Sequence, residues 1–127
     1  MQQNIIYEIK NEDEFDFFKE NAYMCVIDFS ATWCKPCKLL SNKLISYFSS
    51  NKMDNIYLFD NYPLKNEINN KIVFIKVDVN KFENLSMIYK VSNLPCIIFY
   101  KCGELQQEKI LGFNENEIID NILKIIT

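Results

Sequence analysis

Apolar residues along this chain recur with two different periods, and the switches between them outline its elements. "NIIYEI" (4–9) reads as a short first strand. Behind Asn11, "NEDEFDFFKENA" (11–22) sets Phe15 and Phe18 at helical spacing. Glu12, Asp13 and Glu14 stand in its first turn, where the helix dipole favours acids, so the segment predicts a helix. "MCVIDF" (24–29) is a continuous apolar run rich in β-branched residues, the pattern of a strand covered on both faces. From about Lys35, Leu40, Leu44 and Tyr47/Phe48 repeat at helical spacing. "KIVFIKVDV" (71–79) is a second central strand, and Phe82, Leu85, Ile88 and Tyr89 mark a third helix. "CIIFY" and "ELQQEKIL" flank "KCGE", where Gly103 supports a hairpin turn. Behind Asn114, the stripe Ile118, Ile119, Ile122, Leu123, Ile125 and Ile126 closes the chain as an amphipathic helix.

The order is β-α-β-α, an insertion, then β-α-β-β-α. Alternation of strands with helices calls for parallel pairing, and the late hairpin adds antiparallel strands. The expected fold is α/β, a central mixed five-stranded sheet flanked by four helices. The insertion, about 51–70, has Asn-rich flanks of a loop but contains Ile56, Tyr57, Leu58, Phe59, Tyr62 and Leu64, which call for packing on something. Long surface inserts are thermodynamically cheap, so it reads as a decorative loop, with a folded flap or partner contact as its rival.

Length and composition narrow the picture. At 127 residues the chain is the size of one domain, so 1–127 is read as a single unit. No apolar run approaches the roughly 20 residues that cross a bilayer, so no membrane association is expected. The start "MQQNIIYEIKNEDEF" lacks a basic region followed by an apolar block, and a cytoplasmic location is the expectation. All 14 basic residues are lysines spread from Lys10 to Lys124, against a net charge of −3. A nucleic-acid partner, which needs a basic stripe, is not expected. With no His, a Ser-His-Asp triad, a Cys-His pair and a His-ligated metal are excluded. With only two glycines, so is a glycine-rich phosphate loop. Five scattered cysteines fit a reducing compartment better than a secreted disulfide framework.

What chemistry remains centres on "SATWCKPCKLL" (30–40). Cys34 and Cys37 at this spacing admit a redox pair, half of a zinc site, or two structural thiols, and zinc would lack a second such pair for its remaining ligands. Asp28, alone in an apolar strand, is costly to bury unless it has a partner or a purpose.

"VIDFSATWCKPCKLL" resembles the active-site segment of the thioredoxin family. "FIKVDVN", "VSNLPCIIFYKCGE" and "ILGFNENEI" resemble, in order, its third strand, its cis-proline loop with the following hairpin, and the glycine before its last helix. The resemblance implies a thioredoxin fold and a thiol-disulfide oxidoreductase that needs no cofactor and no metal. It implies a monomer that acts on protein disulfides and is recharged by an upstream reductant, a thioredoxin reductase or a glutathione-linked system. Cys34, at a helix N-terminus that stabilises a thiolate, is the implied nucleophile. Cys37 resolves the mixed disulfide, so the oxidised form carries Cys34–Cys37. Asp28 matches the family's buried proton-transfer carboxylate, and Lys76 its neighbour. Trp33, Lys35, Pro36, Leu94, Pro95 and Gly112 match substrate-contacting positions, with Pro95 in the cis isomer, which sequence alone would not indicate because only about 5–6% of X-Pro bonds are cis.

Four departures qualify this. Lys35 replaces the usual glycine between the cysteines and places a cation beside Cys34, which favours thiolate and a more oxidising disulfide. Asn42 stands where a helix-kinking proline is usual. Cys96 follows Pro95 in place of threonine, either a small buried residue or a third, regulatory sulfur. The insertion is the fourth, and it leaves an alternative function: an interaction module or substrate-dedicated redox adaptor that uses 51–70.

Overall fold

The computed structural model describes residues 6–50, 56–57, 59, 61–112 and 114–126. Along the chain run β1 (Tyr7–Glu8), α1 (Glu12–Asn21), β2 (Met24–Ser30), α2 (Lys35–Ser50), β3 (Ile56–Tyr57) and α3 (Lys65–Ile68). They are followed by β4 (Ile72–Asp78), α4 (Glu83–Ile88), β5 (Cys96–Lys101), β6 (Glu104–Leu111) and α5 (Glu115–Ile126). Asn4 and Ile5 of the predicted first strand, Leu58, and the side chains of Ile125 and Ile126 lie outside the described residues.

The sheet order is β1-β4-β2-β5-β6. β2 pairs parallel with β4 and antiparallel with β5, which makes the sheet mixed as expected and leaves all seven β2 residues buried. Alternation along the strands sorts the core into two layers. Met24, Val26, Phe74, Ile97 and Phe99 pack under α2 and α5, against Leu40, Leu44, Phe48, Ile118 and Ile122. Cys25, Ile27, Phe29, Ile75, Cys96 and Ile98 pack on the opposite face, against Phe15 and Phe18 of α1 and Leu85 of α4. Asp28, between Ile27 and Phe29, therefore falls on the α2 side.

Local signals match these elements. The Asn11 side chain accepts a hydrogen bond from the Glu14 N–H at 3.0 Å, capping α1. At the β5–β6 turn Cys102 (φ 52°) and Gly103 (φ 80°) are both left-handed, the backbone of a two-residue hairpin loop. α2 runs unbroken through Asn42.

The insertion departs from its reading as a decorative loop. Among the described residues it adds a two-residue strand and a four-residue helix to the expected five-stranded sheet and its four flanking helices. The reason lies in β4. Strand β1 pairs only with Ile75 and Lys76, and β3 occupies the same edge lower down, opposite Ile72 and Val73. Phe59 and Ile68 are buried in the α1-side core. The Phe59 ring stacks on Tyr7 at 5.4 Å between centroids and lies 5.5 Å from Phe18. Leu64, at 67% exposed, does not pack as its apolar character implied. Phe59→Leu is expected to cost roughly 1–2 kcal/mol of stability and to leave thiol exchange at the cysteines unchanged. Denaturant unfolding checks this, and an unchanged midpoint would return the segment to the status of a surface loop.

Candidate redox site

β2 ends at Ser30 and the chain turns directly into α2. The Cys34 N–H bonds the Ala31 carbonyl at 3.1 Å, and the Cys34 carbonyl accepts from the Lys38 N–H at 3.4 Å, so Cys34 is the cap of α2. Pro36, second in the helix, lacks an N–H where none has an intrahelical partner. The Cys37 N–H donates to Cys34 Sγ at 3.2 Å. A sulfur thus takes the place that a serine or aspartate oxygen ordinarily takes at a helix start, where the unpaired amides and the dipole favour negative charge. Cys34 and Cys37 are joined as a disulfide with Cα atoms 5.3 Å apart, so the structure holds the oxidised form. With the two sulfurs bonded to each other, the pair is a disulfide in this form rather than two independent thiols.

Cys34 borders an open groove of about 640 Å³ together with Trp33, Lys35, Pro36, Val91 and Leu94. Trp33 is 70% exposed, and its indole N–H is tethered to Asn80 Oδ1 at 3.0 Å. Sequence reasoning did not single out Asn80, and its partner is 47 residues away with no local signal. The Leu94–Pro95 peptide is cis. Pro95 and Gly112 are not among the groove's lining residues. They meet each other next to Leu94 of the groove, the Gly112 N–H donating to the Pro95 carbonyl at 2.7 Å. Gly112 has φ 84°, a conformation that favours glycine.

Asp28 is 2% exposed, with Lys76 beside it in register on β4. Ser41 Oγ donates to Asp28 Oδ2 at 3.4 Å, and Oδ1 has no hydrogen-bond partner. Burial pushes the Asp28 carboxyl up to about 7, against the opposing pull of Lys76 and Ser41. Ser41 was missed by the sequence reading, although its spacing of four from Cys37 puts both on the buried face of α2.

Cys96 follows the cis-proline, and Val79 and Leu94 pack against both its core cluster and that of the disulfide. Cys96 is fully buried in the α1-side core opposite Phe29, while the disulfide packs in a small cluster with Ala31, Val79 and Leu94. Burial pushes the Cys96 thiol up, which makes it a poor nucleophile and favours its reading as a small core residue.

The Thioredoxin family model matches residues 7–124. Putative thioredoxin-5 of Dictyostelium discoideum is 30% identical over 119 residues, covering 94% of this chain and 97% of that protein. Thioredoxin-T of Drosophila melanogaster is 28% identical over 116 residues, and the match spans 90% of this chain but only 62% of the relative. Among solved structures, oxidised mitochondrial thioredoxin 3 of Saccharomyces cerevisiae superposes with a TM-score of 0.72 at 25% identity, covering 94% of each chain. With the family model matched over nearly its whole length and the cysteine pair bonded at the start of α2, this chain belongs to the thioredoxin family of thiol-disulfide oxidoreductases.

Proposed function

We propose that the chain, folded as one domain, is a protein-disulfide reductase in which Cys34 attacks and Cys37 resolves. The observation that carries this reading is the position of Cys34, which caps α2 and at the same time borders the open groove. In the reduced form the Cys37 amide that now meets its sulfur, together with the helix N-terminus, stabilises a Cys34 thiolate. That thiolate attacks one sulfur of a substrate disulfide, a Cys34–substrate bond forms, and the other substrate sulfur leaves as a thiolate that takes up a proton. Cys37 then gives its proton to Asp28 and attacks Cys34 Sγ. The second substrate sulfur leaves, and the enzyme returns to the oxidised state seen here. Two electrons have passed to substrate, and an upstream reductase of the thioredoxin-reductase or glutathione-linked kind must return them.

Trp33, Lys35, Pro36 and Leu94 form the surface on which an extended substrate lies. Pro95 and Gly112 hold the shape of its wall. A cytoplasmic location and a monomeric state complete the proposal. Among the described residues no helix is long and apolar enough to cross a membrane. The interaction-module alternative draws less support, because Phe59 and Ile68 of the insertion are spent on the core.

Reduction of insulin with dithiothreitol as electron source tests the reading, and its absence would favour the interaction module. The Cys34–Cys37 potential, equilibrated against glutathione, fixes the direction: near about −270 mV the pair is a reductase, near about −120 mV an oxidant. Lys35→Gly is expected to lower that potential by on the order of 10–30 mV, since it removes a cation that favours the reduced thiolate. An unchanged or raised potential would show that Lys35 projects away from the sulfur.

A further inference from the structure

Glu8 has no part in the chemistry described so far. It is one of only two residues in β1, and its register partner on β4 is Lys76. Lys76 is in turn the register partner of Asp28 on β2. Register partners on adjacent strands lie about 4.8 Å apart and project from the same face. Glu8, Lys76 and Asp28 therefore form one row across three strands, a lysine between an exposed carboxylate and a buried one.

The row stands beside a second cavity, of about 260 Å³, which is separate from the substrate groove. Its wall includes Glu8, Lys76, Lys38, Asp78 and Cys37, but not Cys34. The groove, conversely, includes Cys34 and not Cys37. The two sulfurs of one disulfide are thus reached from different sides, the attacking one from the apolar groove and the resolving one from a chamber lined by charged side chains.

We propose that Glu8 is a positioning residue that shares Lys76 with Asp28, weakens the lysine's hold on that buried carboxylate, and so sets the pH at which Cys37 can give up its proton. This rests on the reading that Asp28 takes the Cys37 proton.

The charged and titratable groups around Asp28 define the balance: Lys76 on β4 and Ser41 on α2 act on the carboxyl directly, Glu8 on β1 shares the strand row, and Cys37, Lys38 and Asp78 line the adjoining cavity. Cys96 on β5 also interacts with Asp28, but burial keeps that thiol neutral. Within this set Lys76 is the charge that opposes the burial of Asp28. One ammonium cannot lie fully against two carboxylates. Neutralising Glu8 removes the competitor for Lys76 and also removes a like charge, and both changes favour ionised Asp28.

The experiment follows the resolving step in single-turnover disulfide exchange as a function of pH, with Asp28→Asn marking which inflection belongs to Asp28. Glu8→Gln is expected to move that inflection down by about 0.3–0.6 pH unit, the size of an exposed-charge effect. Glu8→Lys is expected to move it further in the same direction, and Glu8→Asp to leave it in place. High salt shrinks the shift, because Glu8 is exposed. In a Lys76→Met background the Glu8→Gln shift should largely vanish, which separates action through Lys76 from direct repulsion. An inflection that Asp28→Asn abolishes but Glu8→Gln and Glu8→Lys leave unmoved overturns the role of Glu8 alone. A full shift retained without Lys76 overturns the sharing. If Asp28→Asn leaves the profile intact, the proton-transfer reading of Asp28 falls, and this proposal falls with it.

Discussion

Cys37→Ser is expected to stop turnover and to leave the protein covalently attached to its substrate. Cys34 still caps α2 in this variant, so its thiolate forms and attacks, and the mixed disulfide accumulates because the sulfur that would break it is gone. Cys34→Ser loses the nucleophile instead and is expected to give no adduct. For either variant, multiple-turnover reduction of insulin should fall by a factor on the order of 10³ or more, as for other covalent catalysts stripped of an essential group. Non-reducing gels and intact mass read the difference directly: an adduct with Cys37→Ser, released by dithiothreitol, and none with Cys34→Ser. Adducts on the second variant but not the first would exchange the roles of the two cysteines. Such an exchange is hard to reconcile with a groove that Cys34 borders and Cys37 does not.

The parts of this site that the sequence makes legible are those written in local spacing. The switch from the apolar run at 24–29 to the helical period after Lys35 locates the strand-to-helix junction, and Cys34 and Cys37 fall at its start. Asp28 stands out because a carboxylate interrupts an otherwise apolar strand. The cis isomer at Pro95 came from family resemblance, since no local signal distinguishes it.

What escaped is set by register and packing between segments distant in the chain. Ser41 gained meaning only when α2 was laid over β2. Asn80 is tied to Trp33 across the loop after β4, and Glu8 matters only because β1 and β2 pair with the same lysine. The insertion misled for a related reason. Its Asn-rich flanks have loop composition, yet β1 is too short to cover the edge of β4, and that vacancy gives Ile56 and Tyr57 a strand to join.

Asp28→Asn is expected to make the oxidised protein more stable at pH 8 and to change it little at pH 4. Burial holds the folded-state carboxyl at about 7, raised from 3.8. Between those values the folded protein keeps the proton and the unfolded chain does not, so unfolding releases it and stability falls as pH rises. The stability contributed by the protonated form is fully present below about pH 4 and lost as pH passes through about 7. At about 1.36 kcal/mol per pH unit, the span amounts to on the order of 4 kcal/mol at pH 8. Asparagine removes this dependence, because it occupies the same space without a charge to desolvate. A melting temperature higher by about 15 °C than wild type at pH 8, with near coincidence at pH 4, is the expected pattern. An equal or lower melting temperature at pH 8 would mean that Lys76 and Ser41 compensate the buried charge in full. A carboxylate kept at such a cost, hydrogen-bonded to Ser41 one helical turn beyond the resolving cysteine, makes physical sense if its proton is used. The variant that is most stable at pH 8 is therefore also expected to be the slow one at the resolving step.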